Sequence, residues 1–383
     1  MNKEEKIDWV YSKLEDEESR IIFEKRKKFY YTGDYHYLAD IIDQFVPEFS
    51  GCKWNPEIEK DLIRDVVGLD KKLIIFGAGY NGRRVLQLVY AGGGIVEYFC
   101  DNNKKKHHTM IDGVEVISIE ELLSREVVDD LVFIISPMLP EGYNAIFDLL
   151  IRHDILVSNI FKLSDYNYMK ELNESQYFDE VLSFGRDEIF IDAGSYDFFT
   201  SCLFIKRMNN LGFGYKKIYA FEPDVANFRN CQKKIENLGL NNISLINAGL
   251  WSTNTELQFN SLANAGSFIE KARIQDDTFE GLKNLNINSE KLKVVSLDSC
   301  IKEKVTFIKM DIEGAEIEAL KGAKNILIRD KPKLAICIYH KKEDLWEIPY
   351  YIKNLVPEYK LYIRHYSNYA HETVLYAVCE GEM

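Results

Sequence analysis

Short apolar runs that alternate with helix-like segments constrain the fold of this chain more than any other feature. Strand–helix alternation of this kind is typical of a parallel sheet with helices on its faces. A first series of strand-like runs lies at 73–77, 96–100, 131–136 and, more weakly, 157–161. A second series lies at 189–194, 217–223, 243–249, 306–311 and 334–340. The sequence therefore predicts two α/β units, and two alternating runs at 360–366 and 373–379 predict a closing antiparallel hairpin.

The chain divides into three predicted parts, which suits a length of 383 residues. Residues 1–70 have helical spacing without strand-like alternation, so we expect a helical N-terminal segment that either forms a dimer element or caps the first sheet. Residues 71–165 predict a small Rossmann-like domain, and residues 166–383 predict a second Rossmann-like domain. The polar, tyrosine-rich stretch 162–188 between them predicts a linker helix.

Charge and cysteine content restrict the partners and the compartment. Lys and Arg number 48 against 61 Asp and Glu, and the net charge of −13 disfavours binding to nucleic acid or anionic membrane. The 7 cysteines are widely spaced and form no C-x-x-C pair, which favours a reducing compartment. The charged N-terminus has no signal-like apolar stretch, and no apolar run is long enough to span a membrane. We therefore expect a cytoplasmic protein without a membrane span.

The first α/β unit contains a glycine-rich turn between a predicted strand and a predicted helix. Gly77, Gly79 and Gly82 form the pattern G-x-G-x-x-G, and Asp101 ends the next predicted strand. Such glycines allow a tight turn and a close approach to a pyrophosphate, and the acid can accept hydrogen bonds from ribose hydroxyls. Two interpretations stay open, namely a site for a nucleotide or nucleotide sugar and a structural turn that binds nothing.

The second unit carries a comparable turn where its first strand ends. In doubly wound sheets, ligands bind beyond the carboxyl ends of the strands. Glu222 ends the second strand, where a carboxylate can accept from both ribose hydroxyls of an adenosine, as in sites for S-adenosylmethionine. Asn247 ends the third strand, where its amide can contact an adenine edge. The predicted cofactor-binding residues are Asp192, Gly194, Ser195, Tyr196, Asp197, Glu222, Pro223, Asn247, Ala248 and Gly249.

Charged residues cluster where the fourth strand of this unit passes into a helix. Alternation along the strand places Lys309 and Asp311 on one side, and the spacing of Glu313 and Glu316 places both on one face of the first helical turn. His340 ends the fifth strand at the same edge of the sheet. These residues predict general acid–base chemistry, whereas helix capping is an alternative that suits Glu316. For His365, on the predicted hairpin, we expect a core or surface role.

Several of these segments together resemble the FkbM family of S-adenosylmethionine-dependent O-methyltransferases. The segments that carry the resemblance lie at 192–197, 220–224, 294–301, 308–316 and 362–378, within roughly residues 175–380. The resemblance implies a class I methyltransferase fold, S-adenosylmethionine as methyl donor and a hydroxyl acceptor. The N-terminal unit resembles small Rossmann modules of polysaccharide-biosynthesis proteins. Members of the family usually carry a glycine after the positions of Tyr196 and Asp197, whereas this chain has Phe198, which we expect to narrow the methionine end of the pocket.

The sequence therefore predicts an O-methyltransferase for a hydroxyl of a sugar or related small polar acceptor, with a role in polysaccharide or glycan biosynthesis. Asp311 or His340 would accept the hydroxyl proton, Glu313 would orient the hydroxyl, and Lys309 would reduce the cost of packing the acids. Alternatively, Asp311 and Glu313 would hold a divalent cation. An NAD(P)-dependent nucleotide-sugar oxidoreductase or epimerase, an inactive binding or scaffold protein, and a homodimer remain open.

Overall fold

A computed structural model of the protein describes residues 2–49, 56–137, 140–162, 174–260, 268–269 and 289–379. The chain forms two compact units, one of residues 1–50 and 171–383 and the other of residues 51–170. This division differs from the predicted boundaries, because the first fifty residues join the C-terminal unit and residues 51–70 join the first α/β unit. In the described ranges, none of the helices combines the length and apolarity needed to cross a lipid bilayer.

Three helices precede the first α/β unit, as the helical spacing predicts. They are α1 (Lys3–Tyr11), α2 (Glu17–Thr32) and α3 (His36–Phe45), followed by a 3₁₀ turn at Pro47–Phe49. Asn2 and Glu5 form a capping box at the start of α1, and the side chain of Asp16 caps α2. Gly33, at φ 70°, ends α2 in the left-handed conformation that glycine adopts without strain.

The unit of residues 51–170 is a six-stranded sheet with helices on its faces. In chain order it contains α4 (Pro56–Val67), β1 (Lys72–Phe76), α5 (Tyr80–Ala91), β2 (Val96–Cys100), β3 (Met110–Ile111), β4 (Val114–Ile117), α6 (Ile119–Arg125), β5 (Leu131–Ile135), α7 (Pro140–Arg152) and β6 (Ile160–Lys162). The strand order is β3-β4-β2-β1-β5-β6, and every pair except β3–β4 is parallel. The predicted parallel sheet is confirmed, although β3 and β4 were not predicted and the weak run at 157–161 begins as a 3₁₀ turn.

The C-terminal unit is built on a seven-stranded sheet of order β16-β17-β15-β14-β7-β8-β9. Its elements are β7 (Glu188–Ala193), α8 (Phe199–Asn210), β8 (Tyr215–Phe221), α9 (Val225–Asn237), β9 (Ile243–Ile246), β10 (Gly249–Leu250), β11 (Thr255–Asn260), β12 (Phe268–Ile269), β13 (Ser289–Val295), α10 (Leu297–Cys300), β14 (Phe307–Met310), α11 (Glu316–Lys321), α12 (Lys324–Asp330), β15 (Lys333–Cys337), α13 (Asp344–Leu355), β16 (Lys360–His365) and β17 (Thr373–Val378). All five predicted strands and the terminal hairpin are confirmed.

Two segments of the C-terminal unit differ from the sequence expectation. The region between β9 and β14 forms a second, four-stranded sheet of order β10-β13-β11-β12. Of the stretch predicted as a linker helix, residues 163–173 lie outside the described residues, and 174–187 form turns rather than a helix. Turns suit the described part of this stretch because they let the side chain of Tyr177 reach the sheet edge.

Helix α2 packs on the terminal hairpin of the C-terminal sheet, and α1 packs on α13. Leu14 forms a β-bridge with Leu361, and the Ser19 hydroxyl accepts a hydrogen bond of 2.8 Å from the amide of Ile363. Arg364 donates to the Asp16 carboxylate at 2.6 Å. Apolar residues of both helices share one core with the C-terminal strands. The expected cap on the first sheet is therefore wrong, since these helices cover the second sheet.

Candidate active site

A close-packed turn follows β7 at the carboxyl edge of the seven-stranded sheet. The amides of Gly194 and Ser195 both donate to the carbonyl of Phe221, at 3.1 Å each. Gly194 has φ 77°, and a Cβ atom placed there would lie 1.9 Å from the carbonyl oxygen of Asp311. Only glycine fits a left-handed position with a backbone so near, so this turn is fixed directly against the end of β14.

A buried ion pair lies beneath this turn. The Nζ atom of Lys309 is 3.2 Å from Oδ1 of Asp192 and donates to the carbonyl of Gly194 at 2.7 Å. Asp192 also accepts a hydrogen bond of 2.6 Å from the Ser201 hydroxyl on α8. Burial acts to lower the pKa of Lys309, but the charges of Asp192 and Asp311 outweigh it and raise the pKa. The side chains of Lys309 and Asp192 are 2% and 0% exposed, so this ion pair stabilises the turn from the protein interior.

Glu222 connects the turn to the end of the neighbouring strand β8. Its carboxylate accepts from the amide of Tyr196 at 2.8 Å and from the amide of Asp224 at 2.9 Å. Burial raises the pKa of Glu222 to about 7, against the effect of these two hydrogen bonds. The amide of Asn247 donates to the carbonyls of Glu222 and Pro223 at 2.9 and 3.1 Å. The ends of β7, β8 and β9 thus form one connected edge.

The other predicted cofactor residues lie along the same edge. Tyr196, at φ 48°, is 43% exposed, and the Asp197 carboxylate accepts from the amide of Phe199 at 2.9 Å. Ala248 and Gly249 are buried where β10 begins. The sequence predicts that Phe198 narrows the methionine end of the cofactor pocket. In the structure its side chain is instead fully buried in a core with Ala220 and Cys231. It has φ 65°, in the left-handed region that favours glycine.

A carboxylate–histidine cluster forms where β14 and β15 end. The Nε2 atom of His340 is 3.3 Å from Oδ1 of Asp311 and 3.9 Å from Oε2 of Glu313. On the opposite side of the ring, Nδ1 is 2.9 Å from Oε1 of Glu316. The side chains of Asp311 and Glu313 are 25% and 21% exposed, whereas those of His340 and Glu316 are 4% and 0% exposed. The cluster therefore reaches solvent through Asp311 and Glu313.

The cluster differs in two details from the sequence expectation. Helix α11 begins at Glu316, and Glu313 precedes it at φ 57°, so the two residues do not share a face of the first helical turn. β15 ends at Cys337, so that His340 lies three residues beyond the strand. Glu316 accepts from the amide of Ile312, which lies outside the helix, at 2.9 Å, and the same oxygen contacts His340. Capping alone therefore does not explain Glu316.

Mutual charge fixes the protonation states of this cluster near neutral pH. Burial disfavours charge on His340, but the charges of Glu316 and Glu313 and the contact with Asp311 raise its pKa well above the usual value. Burial alone would raise the pKa of Asp311, yet His340, Lys309 and Tyr177 together lower it below the usual range. The charges of the cluster therefore favour a protonated imidazole beside ionised Asp311 and Glu316.

Three residues of the site were not predicted from the sequence. The hydroxyl of Tyr177 donates to Oδ2 of Asp311 at 2.8 Å, and that of Tyr339 donates to Oδ1 at 3.2 Å. The same Tyr339 oxygen lies 3.2 Å from Glu372, so its single proton can go to only one of the two carboxylates at a time. Tyr339 adjoins His340 in sequence, which was an available signal, whereas nothing local distinguishes Tyr177 within its tyrosine-rich segment. His365 lies within the hairpin core, where its Nδ1 atom is 2.9 Å from the Thr373 hydroxyl.

The glycine turn of the first α/β unit is also tightly closed. A Cβ atom at Gly82 would lie 1.9 Å from the carbonyl oxygen of Gly77, which itself has φ 105°, while the position of Gly79 is open. The Asp101 carboxylate accepts from the amide of Ala78 and from the Lys106 ammonium, at 2.8 Å each. Asp101 therefore fixes the turn, and nucleotide binding there stays a prediction.

The fold and the arrangement of this edge define an α/β domain of the methyltransferase class. The sequence model of the methyltransferase FkbM domain matches residues 192–368, which include every predicted cofactor and catalytic residue of the C-terminal unit. The resemblance found in the sequence is thereby confirmed for this segment, and the chain is a methyltransferase by virtue of this domain. No curated protein matches the chain.

Solved structures of low sequence identity resemble the chain. The methyltransferase FkbM of Methylobacillus flagellatus is 18% identical, with 90% of this chain and 98% of that chain covered and a TM-score of 0.48. A methyltransferase of Streptococcus mutans, solved in complex with S-adenosylhomocysteine, is 14% identical over 54% of this chain and 96% of that chain, with a TM-score of 0.32. An rRNA methylase of Clostridium thermocellum is 14% identical over 55% and 98%, with a TM-score of 0.34.

Proposed function

We propose that this protein is an S-adenosylmethionine-dependent O-methyltransferase that acts on a hydroxyl of a sugar or related small polar acceptor in glycan biosynthesis. The observation that carries the proposal is the common edge on which Glu222, the Gly194 turn and the Asp311 cluster lie. A donor bound along β7 and β8 would place its reactive end beside the carboxylates that follow β14, because β7 is the neighbour of both strands.

The residues at this edge fit S-adenosylmethionine. Each carboxylate oxygen of Glu222 accepts one backbone amide, and an ionised carboxylate has further acceptor capacity for the two ribose hydroxyls. Asn247 adjoins Glu222, where it would lie near an adenine. The carboxylates of Asp311 and Glu313 suit the positive charge of a sulfonium. S-adenosylmethionine, when bound, supplies a methyl group on a sulfonium, an electrophile open to in-line attack.

The chain's own contribution is to hold an acceptor and to take its proton. In the transfer, the acceptor oxygen forms a bond to the methyl carbon, the sulfur–carbon bond breaks, and the hydroxyl proton must leave. His340 is already protonated near neutral pH, so Asp311 is the group of the two that can accept it. Glu313, which faces the same space, would orient the hydroxyl. Positioning by these side chains supplies much of the rate.

The proposal also includes a sugar as the acceptor and a nucleotide or nucleotide sugar as a second ligand. The exposed imidazole of His371 stacks on Tyr339 at a centroid distance of 5.3 Å, which supports a carbohydrate because flat rings pack on its apolar face. The turn at Gly77 would then bind a nucleotide or nucleotide sugar.

Replacing Glu222 with glutamine is expected to weaken binding of S-adenosylhomocysteine at least tenfold at about pH 8, because two charge-assisted hydrogen bonds to ribose are lost. The wild-type affinity should rise about tenfold between about pH 6 and 8, because the raised pKa of Glu222, about 7, keeps the carboxyl partly protonated at the lower pH. Hydroxyls donate to the ionised form, so deprotonation strengthens binding. Isothermal titration calorimetry across this pH range measures both effects.

The matched control is Glu236→Gln, which removes an exposed carboxylate on α9 and should leave affinity and pH profile unchanged. Unaltered binding by Glu222→Gln would exclude the ribose contact. Thermal stabilisation by NAD, with none by S-adenosylhomocysteine, would instead favour the oxidoreductase.

Asp311→Asn is expected to reduce the rate of methyl transfer about a hundredfold or more, because it removes the proton acceptor. Binding of S-adenosylhomocysteine should be unchanged, because the shape of the side chain is kept. Transfer of a radiolabelled methyl group to a panel of sugars and nucleotide sugars provides the measurement. Wild-type turnover in this variant, on any acceptor found by the panel, would show that Asp311 is not the base.

A further inference from the structure

We propose that His340, Asp311 and Glu313 bind a divalent first-row transition-metal cation, with Glu316 orienting the imidazole. Imidazole nitrogen together with carboxylate oxygen is a common donor set for such ions. The three side chains come from the segments after β14 and β15, so the sheet itself brings them together. The site would lie at the edge where the acceptor hydroxyl is expected.

The separations between the donor atoms fit one shared ion. Ligand atoms about 2.0–2.2 Å from one ion are roughly 3–3.5 Å apart. The Nε2 atom of His340 lies 3.3 Å from Oδ1 of Asp311, within that range, and 3.9 Å from Oε2 of Glu313. The Glu313 side chain is 21% exposed, and its carboxylate would have to move closer to share the ion.

His340 supplies a second and independent observation. The residue is nine-tenths buried, and among the described residues its Nε2 atom has no aligned hydrogen-bond partner despite the nearby carboxylates. Nε2 points between Asp311 and Glu313, while Nδ1 is 2.9 Å from Glu316. A carboxylate on one imidazole nitrogen that leaves the other for a metal is the usual arrangement around metal-binding histidines. The amide of Ile312 fixes Glu316 in turn, at 2.9 Å.

The charge of the cluster also favours a cation. Three carboxylates surround a single imidazole, which leaves excess negative charge even when the ring is protonated. Lys309 offsets only part of this charge, because its ammonium acts on Asp311 but is also paired with Asp192 at 3.2 Å. Glu313 moreover has φ 57°, a conformation that is costly for a side chain of this size and is often retained at functional sites.

The chemical role of the ion rests on the proposed methyl transfer. A hydroxyl bound to a divalent cation loses its proton more readily, because the metal stabilises the resulting alkoxide. The ion would thus compensate for the weak basicity of Asp311, and the proton would pass to solvent or to a neighbouring carboxylate. Binding of the ion can be measured without any acceptor.

The test is titration of the full chain with Mn²⁺, with the free ion followed by electron paramagnetic resonance. We expect one Mn²⁺ per chain, at least tenfold weaker binding in Glu313→Gln, and wild-type binding in the surface control Glu236→Gln. Asp311→Asn is the second ligand variant, should Glu313→Gln fold poorly. Thermal unfolding and the stabilisation by S-adenosylhomocysteine are recorded on the same samples.

Absence of stoichiometric Mn²⁺ binding, or equal binding by wild type, Glu313→Gln and Asp311→Asn, would overturn the metal site. Stabilisation by S-adenosylhomocysteine in that case would show that methyl transfer stands without it. Stoichiometric Mn²⁺ binding that depends on Glu313, without any response to S-adenosylhomocysteine, would support the metal site and contradict the proposed function.

Discussion

Replacing Gly194 with alanine is expected to lower the free energy of unfolding of the C-terminal unit by about 3–4 kcal/mol and to abolish stabilisation by S-adenosylhomocysteine. The added Cβ atom would lie 1.9 Å from the carbonyl oxygen of Asp311, and backbone cannot move aside as a flexible side chain can. The turn and the end of β14 must therefore separate. Since Asp311 and Glu222 both depend on this packing, binding and stability should fall together.

Gly212→Ala is a control that separates the effect of the steric clash at Gly194 from the effect of backbone strain. Gly212 has φ 69°, close to the 77° of Gly194, but a Cβ atom there meets nothing within 4 Å. We expect this control to cost only about 1 kcal/mol and to leave ligand binding intact. Denaturant unfolding followed by tryptophan fluorescence reports mainly on this unit, because three of the four tryptophans, Trp9, Trp251 and Trp346, lie in it. Equal losses in the two variants would contradict a role for the close contact.

Lys309→Met should be at least as damaging, with a loss of about 3–5 kcal/mol of unfolding free energy. The substitution keeps an unbranched side chain but leaves the Asp192 carboxylate charged and buried without its cation. It also removes the hydrogen bond of 2.7 Å to the carbonyl of Gly194. The same denaturant unfolding experiment measures the loss.

The double variant Lys309→Met with Asp192→Asn provides the internal control. An asparagine can still accept from the Ser201 hydroxyl, and it leaves no buried charge. We expect the double variant to recover at least half of the stability lost in Lys309→Met, since removing both partners of a buried pair costs far less than removing one. Additive losses in the double variant would show that the two groups act independently.

Much of the fold follows from local sequence patterns. Continuous apolar runs such as those of β7 and β15 are long enough to mark buried parallel strands, and the helices between them have a clear amphipathic spacing. The short strands β3 and β4 could not be predicted, because two and four residues give no recognisable alternation. The packing of α1 on α13 and of α2 on β16 could not be predicted either, since helix patterns show which face is apolar but not which element covers it.

The site could be predicted where it depends on strand ends and not where it depends on distant side chains. Glu222, Asp311 and His340 all follow apolar strands, so parallel pairing brings them to one edge. The contact between Tyr177 and Asp311 joins positions 134 residues apart and has no counterpart in local spacing. Burial of Lys309 against Asp192 likewise depends on the register of β14 with β7, which places the two residues opposite each other.

The packing of α2 against β16 has a consequence for the order in which the protein can assemble during translation. The amide of Ile363 donates to the hydroxyl of Ser19 across 344 positions of sequence, and the whole unit of residues 51–170 is synthesised between them. At roughly 5–20 residues per second, the ribosome needs roughly 20–70 s to span that interval. During this time the elements on which α1 and α2 pack have not yet been synthesised, and the intervening unit can fold first. The connectivity therefore makes completion of this core a late event, which follows synthesis of almost the whole chain.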